Sequence, residues 1–111
     1  MQLSFLDPGQ LTARLELEAP LRVADGQGGA EIGTQPLAAV WARIEPVTRT
    51  LHEQASAASY TVTHRVWMRH RSDIAAGMRL RKGNRLFWIR ALHDPDETQR
   101  LLVCYCEEEG R

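Results

Sequence analysis

Few side chains in this sequence are of the types that do chemistry, and those present lack the partners that the chemistry needs. His52-Glu53 begins like the zinc-protease motif HExxH, but Ser56 stands where the second histidine ligand belongs. Gly26-Gln27-Gly28-Gly29 is rich in glycine, yet no Lys-Ser/Thr pair or helix start follows it to complete a phosphate site. We therefore predict that the protein is not an enzyme and that it uses no metal or cofactor.

Two histidines and the two cysteines form the other candidate set. His64, His70, Cys104 and Cys106 could supply four metal ligands. Only one residue separates the cysteines, which is shorter than the usual gap in closed zinc sites, so packing as small apolar groups is the better interpretation. Side chains two apart on a strand point the same way, and a bond between them would be strained. We predict free thiols.

The charges balance in number but are unevenly placed along the chain. Lys and Arg together number 14, as do Asp and Glu, but residues 64–90 hold one acid and eight bases, and both flanking segments are acidic. Such a basic middle can contact nucleic acid, or it can bind the acidic segments within a subunit or between neighbours. Its arginines interleave with Trp67, Phe87, Trp88 and Tyr105, so a monomeric nucleic-acid-binding β-barrel is the alternative function.

Turn signals divide the chain into about six short strands. Apolar and polar residues alternate over residues 11–17, and Pro20 ends this strand or confines it to an edge. Glycines over residues 24–35 predict a long, flexible hairpin connection. A second strand is predicted over residues 36–45 and is closed by Pro46.

Residues 47–59 break this pattern. Leu51, Ala55 and Ala58 lie at helical spacing, but the stripe is thin, so a short helix or a mobile loop is predicted. The remaining strands are predicted over residues 60–71, 78–81, 85–93 and 99–107, with Trp88 in the core. The prediction is a single mainly β domain over residues 1–111, a small barrel of about six antiparallel strands with a long hairpin loop and at most one short helix. No signal peptide and no membrane span are predicted.

Six ordered segments carry a resemblance to a known family. They are the opening strand of residues 11–17, Val40-Trp41-Ala42-Arg43-Ile44-Glu45-Pro46, Thr63-His64-Arg65-Val66, Gly77-Met78-Arg79-Leu80, residues 85–96 ending in Asp94-Pro95-Asp96, and the closing strand of residues 101–107. In this order, over about residues 10–107, they resemble the phage head–tail joining proteins, also called head–tail adaptor, head-completion or stopper proteins. An aromatic residue often precedes the tryptophan stretch in that family, and residues 32–37 offer none.

The resemblance implies a structural role in the neck of a phage, prophage-encoded or gene transfer agent particle assembled in the bacterial cytoplasm. The protein would form a ring, with a hexamer as the expected size. Its partners would be an adaptor ring below the portal and the tail terminator, with DNA passing through the lumen without sequence-specific binding.

Two sets of residues follow as candidate sites. The resemblance places a channel gate on the variable segment after Pro46: Val47, Thr48, Arg49, Thr50, Leu51, His52, Glu53, Gln54, Ala55 and Ser56. The opposed charges of the middle and the tail suit contacts between subunits of a closed ring. The candidate interface charges are Arg65, Arg69, Arg79, Arg81, Arg85, Glu107 and Glu108.

Overall fold

The computed structural model of the protein describes residues 8–24, 26, 30–54 and 57–110. A 3-10 turn, Pro8–Gln10, is the only helical element in these ranges. Six strands follow: β1 Ala13–Ala24, β2 Ala30–Gln54, β3 Ala57–Arg69, β4 Arg79–Lys82, β5 Arg85–His93 and β6 Leu101–Glu108. The predicted mainly β fold is confirmed.

The strands are all antiparallel and close on themselves in the order β1-β2-β3-β6-β5-β4. Closure joins Glu16–Glu18 of β1 to Arg79–Arg81 of β4. The predicted tight turn connects β4 to β5, and Gly83 provides its positive φ of 60°. Closing the sheet gives Glu16–Glu18 a partner strand on both sides, which shortens the unpaired edge that could invite edge-to-edge aggregation.

Alternation along the strands fills the barrel. Successive side chains of a strand point to opposite faces, so Leu15 and Leu17 of β1 lie inside together. The other buried members of this core are Val40, Ala42, Val66, Met68, Ile74, Leu80, Phe87, Ile89, Leu102, Cys104 and Cys106. Both cysteines are free thiols, as predicted. Burial raises the pKa of the Cys104 thiol to about 12, so it packs as a neutral group.

Phe87 and Trp88 show which face of β5 is internal. Phe87 is fully buried, whereas Trp88 is only partly buried and donates a hydrogen bond from Nε1 to Glu109 Oε1 at 2.9 Å. The prediction that Trp88 belongs to the core is therefore wrong. Each face of this strand carries a large aromatic side chain, and the sequence pattern alone does not show which face is inside the barrel.

The first hairpin is more regular than the sequence predicts. β1 continues past Pro20 to Ala24 and β2 begins at Ala30, so the predicted flexible connection over residues 24–35 is largely paired strand. Beyond Glu18, β1 has β2 as its single neighbour. Proline is tolerated on a strand with an open edge because its missing N–H costs no ladder bond there. The edge position allowed for Pro20 is confirmed.

The second hairpin corrects the prediction for residues 47–59. The described residues of this segment are strand and not a helix or a loop: β2 continues through Pro46 to Gln54, and β3 begins at Ala57. The register shifts between Pro46 and Thr50, an irregularity that accommodates the missing N–H of Pro46. Tyr60, Thr61 and Val62 are strand-forming residues, and pairing with them extends β2.

These two hairpins make the molecule long. The first arm consists of residues 19–24 paired with 30–35, and the second arm consists of residues 50–54 paired with 57–62. They stand at opposite ends of the barrel segment of β2. The molecule measures 56 × 33 × 27 Å, and its radius of gyration is 15.1 Å, against about 13 Å for a compact chain of this length. The arms account for this excess.

Candidate functional site

The candidate gate segment forms the outer part of β2 and the tip of the second arm. Thr50 pairs with Val62, Leu51 with Thr61, and His52 with Tyr60. Ala55 and Ser56, also predicted as gate residues, lie outside the described residues. Leu51 is 61% exposed, the most exposed of the large apolar side chains described. β3 gains β6 as a neighbour only from His64 onward, so this arm is a two-stranded ribbon with open edges.

The root of the second arm is tied to the barrel by Arg49. Its Nη2 lies 3.3 Å from Oε2 of Glu107, and Arg90 reaches the other oxygen of the same carboxylate at 3.3 Å. The Arg49 side chain is 54% exposed, and an ion pair that water surrounds contributes little to stability. This ion pair therefore adds little to the stability of the arm at its root.

The arginines of the basic middle mostly bind acids of the same chain. Arg65 pairs with Glu45 at 3.2 Å, and Arg85 grips Glu108 through two hydrogen bonds of 2.8 and 3.0 Å. Within the single chain described, these arginines bind acids of their own subunit. Arg69 is the exception among the candidate interface charges, because it makes no ion pair within the described part of the chain.

Glu108 belongs to a buried cluster at one end of the barrel. Its carboxylate lies 3.7 Å from His64 Nε2, and its backbone N–H donates to Thr63 Oγ1 at 2.8 Å. The rings of Phe87 and His64 meet edge-on with their centroids 5.1 Å apart, and the guanidinium carbon of Arg85 lies over the Phe87 ring, 4.8 Å from its centroid. The cluster joins β3, β5 and β6, so it closes the barrel end with satisfied polar groups.

Glu18 organises a second cluster where the first arm leaves the barrel. It is 5% exposed, and it accepts hydrogen bonds from Arg79 and, at 3.0 Å, from Arg81. Arg79 also donates to Thr34 Oγ1 at 3.0 Å and lies 5.4 Å from the centre of the Trp88 ring. The Glu18 carboxylate therefore joins β1 to β4, and Arg79 extends the cluster to β2 and β5. The sequence alone did not point to Glu18.

Glu18 should make stability depend on acid pH. Burial alone would raise the pKa of its carboxyl, but the hydrogen bonds from Arg81 and Arg79 outweigh burial and hold that pKa below its ordinary value of 4.5. The unfolded chain then takes up the proton first as the pH falls. The contribution of Glu18 to the unfolding free energy is therefore complete above pH 4.5 and is lost as the pH drops through the folded-state pKa.

We expect Glu18→Gln to remove part of this acid dependence and to cost about 1–3 kcal/mol at pH 7, because two arginines lose a charged acceptor. Urea unfolding measured between pH 7 and pH 3 tests this. Glu16→Gln is the matched control, since Glu16 lies on the same strand and makes no ion pair among the described residues. Equal pH slopes for the wild type and Glu18→Gln would show that Glu18 does not carry the effect.

The alternative of a nucleic-acid platform finds little support in these side chains. Phe87 is inside the barrel, and carboxylates hold Arg65, Arg85 and Arg90. These groups do not form a continuous surface of stacked aromatic rings and free cations. Within residues 8–24, 26, 30–54 and 57–110, no group of three or more His, Cys, Asp or Glu side chains could hold a metal ion. None of the helices described is long and apolar enough to cross a membrane.

The described part of the chain is thus a closed barrel with two projecting arms, on which most of the described arginines bind carboxylates. Comparison with known families identifies the class of protein. The model of the family described as phage head completion protein matches residues 6–109, nearly the whole chain. The chain belongs to the phage head completion protein family, whose members are structural proteins of the virion and not a class of enzymes.

Two solved structures resemble the chain over most of its length. One is a chain in the virion of a native gene transfer agent particle, with 26% identity, a TM-score of 0.65, and coverage of 88% of this chain and 93% of that one. The other is the solution structure of protein SF1141 from Shigella flexneri 2a, with 23% identity, a TM-score of 0.70, and coverage of 96% and 99%. The second shows the shared fold alone. No curated protein matches the chain.

Proposed function

We propose that the protein forms a closed ring, a hexamer, that completes the head of a phage or phage-like particle and connects it to the tail. The observation that carries the proposal is the family match over residues 6–109. The likeness to a chain of a gene transfer agent virion supports it. In this account the ring assembles in the bacterial cytoplasm. It sits between the adaptor ring below the portal and the tail terminator, and the DNA path runs through its centre.

The shape of the subunit suits a ring member. A closed barrel gives a rigid body, and the two arms leave opposite ends of the barrel segment of β2. Each arm presents unpaired strand edges, which are templates for contacts with other chains. A subunit with arms at both ends can contact proteins above and below it in a stack of rings.

The second arm is the gate in this proposal. The two strands of this arm pair only with each other, because β6 joins β3 only from His64 onward. An exposed ion pair lies at the root of the arm, and Leu51 near its tip is exposed. A ribbon with few buried contacts needs little free energy to open locally, and the elements that move in proteins are usually of this kind. Six such arms that point into the lumen would narrow the channel and would move aside when DNA passes.

The candidate interface charges differ in how well they suit this role. The side chains of Arg65, Arg81 and Arg85 are 40–41% exposed despite their ion pairs, so a neighbouring subunit can still reach them. Glu108, at 4%, is enclosed within its own chain. We therefore place the subunit contacts on the exposed arginines, with Glu107 as the accessible acid.

Charge balance suits a conduit for DNA. The formal net charge is zero, and most of the described arginines already bind a carboxylate. Each phosphate contact formed by a free cation adds salt-dependent affinity for a duplex. A lumen with few such contacts lets DNA slide, as packaging and ejection require.

The experiment that tests this function is removal of the protein from the particle. Heads assembled without it should lose packaged DNA and should not join tails, and supplying the protein in trans should restore both. Heads that keep their DNA and join tails normally without the protein would refute the proposed function.

A further inference from the structure

An exposed tryptophan lies on the outer wall of the barrel, away from both arms. Trp41 is 55% exposed although it sits in the middle of β2, between the buried residues Val40 and Ala42. Alternate positions of β2 from Leu37 to Arg43 are all exposed, and Leu37 itself is 42% exposed. This apolar stripe on a barrel wall is covered by no described residue.

Three arginines and one acid surround the stripe, the acid being Glu16, the cross-strand partner of Ala39. Arg14 of β1 is the direct cross-strand partner of Trp41, and the pairing of Ala42 with Met68 places Arg69 of β3 on its other side. Arg43 follows two positions along the same strand. Trp41 and Arg69 line one shallow depression together with Leu11 and Thr12. We call Arg14, Leu37, Trp41, Arg43 and Arg69 the Trp41 face.

The three arginines of this face share a property that sets them apart. None of them makes an ion pair in the part of the chain that the structure describes. The arginines that do are Arg49, Arg65, Arg71, Arg79, Arg81, Arg85, Arg90 and Arg100. Among the arginines whose side chains the structure describes, those without an ion pair are therefore gathered around the exposed Trp41.

Most of the described acids of this chain are already engaged. Glu18, Glu45, Asp73, Asp96, Glu107 and Glu108 are bound by arginines. Asp94 accepts a hydrogen bond from the Gln99 N–H and Glu109 accepts one from Trp88, whereas Glu16 and Glu97 stand apart on β1 and in the turn after β5. Within the described residues, a second copy of this chain therefore offers no group of neighbouring carboxylates that are all free.

We propose that the Trp41 face is the docking site for an acidic segment of a different protein, one that carries an apolar side chain between its carboxylates. Trp and Arg are the residues most enriched at the energetic centres of protein interfaces, and an apolar centre with a charged rim is the usual anatomy. The apolar Leu37 and Trp41 on a convex barrel wall favour a protein partner over duplex DNA, whose outer surface is a phosphate backbone and whose apolar groups lie within its grooves. Neither ring formation nor the gate is needed for this inference.

Site-specific crosslinking tests the proposal in cells that produce particles. Trp41 is replaced with the photoreactive residue p-benzoylphenylalanine, the cells are illuminated, and the crosslinked peptide is mapped by mass spectrometry. We expect a crosslink to a second kind of virion protein, within a segment rich in Asp and Glu. Combining Arg14→Glu, Arg43→Glu and Arg69→Glu should reduce the crosslinked fraction at least about tenfold, which corresponds to about 1.4 kcal/mol of binding free energy.

Controls separate charge recognition from loss of folding. Lys82→Glu reverses an exposed charge in the β4–β5 turn and should leave the crosslink unchanged. Replacing the acids of the mapped segment with lysines should restore the crosslink to the triple variant. If urea unfolding shows that the triple variant does not fold, the same three positions changed to Gln provide the test.

Three outcomes would overturn the proposal. A crosslink to DNA would make the face a nucleic-acid contact. A crosslink to another copy of this chain would make it a contact within the ring, as the sequence prediction for Arg69 has it. A crosslinked fraction that is insensitive to charge reversal in a folded variant would show that carboxylates are not what the face recognises.

Discussion

Shortening the second arm should leave the barrel folded and the particle assembled, but heads carrying the shortened protein should lose most of their packaged DNA. Replacing residues 51–61 with Asn-Gly joins Thr50 to Val62, which are paired in the intact arm. A two-residue Asn-Gly loop closes such a hairpin in a favoured type I′ turn. Removing both strands equally matters, because deleting residues 51–56 alone would leave the start of β3 unpaired.

The first arm provides a matched control. Replacing residues 22–32 with the same Asn-Gly turn removes an equal length of chain and keeps the pairing of Leu21 with Gly33. DNA retention, measured as the ratio of filled to empty heads, should fall with the shortened second arm and not with the shortened first arm. Normal retention by assembled heads with the shortened second arm would refute the gate. Failure of these heads to assemble would make the arm an interface instead.

The second large effect concerns the core, where Phe87→Ala should reduce the unfolding free energy by about 3–5 kcal/mol. Phe87 is fully buried at the point where β5, β3 and β6 meet, and its ring contacts both His64 and Arg85. Its removal leaves a cavity and takes away the apolar surface under a buried polar cluster. Chemical unfolding in urea measures the loss directly, provided that the slope is unchanged.

The neighbouring residue is the comparison that makes this test specific. Trp88→Ala should cost only about 1–2 kcal/mol, because that ring is partly exposed and its specific contacts are Arg79 and Glu109. Equal losses for the two substitutions, or a larger loss for Trp88, would contradict the assignment of Phe87 to the inner face of β5.

Local alternation was enough to predict the strands of the barrel wall. Leu15 and Leu17 on β1, and Phe87 and Ile89 on β5, follow the period of two that a half-buried strand requires. Ordered motifs extended this to the family, which the family model confirms over residues 6–109.

The arms could not be predicted from local sequence because their strands depend on pairing between distant residues. Pro20 and Pro46 read as strand ends, but each occupies a place where a missing N–H is tolerated, an open edge in one case and a register shift in the other. The alanines near the tip of the second arm suggest a weak helix, while Tyr60 and Val62 across the hairpin decide for strand.

The exposure of the tryptophans and the pairing of the charged side chains could not be predicted from the sequence either. Tryptophan is a large apolar residue of the kind expected in a core. The closed sheet shows instead that Trp41 is exposed and Trp88 partly exposed. The pairing of Glu18 with Arg79 and Arg81 follows from the β1–β4 register that closes the barrel. That register joins residues more than sixty positions apart, and no short-range signal encodes it.

Cryo-electron microscopy of the neck of an intact particle is the most direct test of ring formation around the DNA. We expect density for this chain as a closed ring around the DNA path, with the second arm, residues 50–62, pointing into the lumen. A neck that lacks this chain, or that contains it as isolated subunits away from the DNA path, would refute the proposed function.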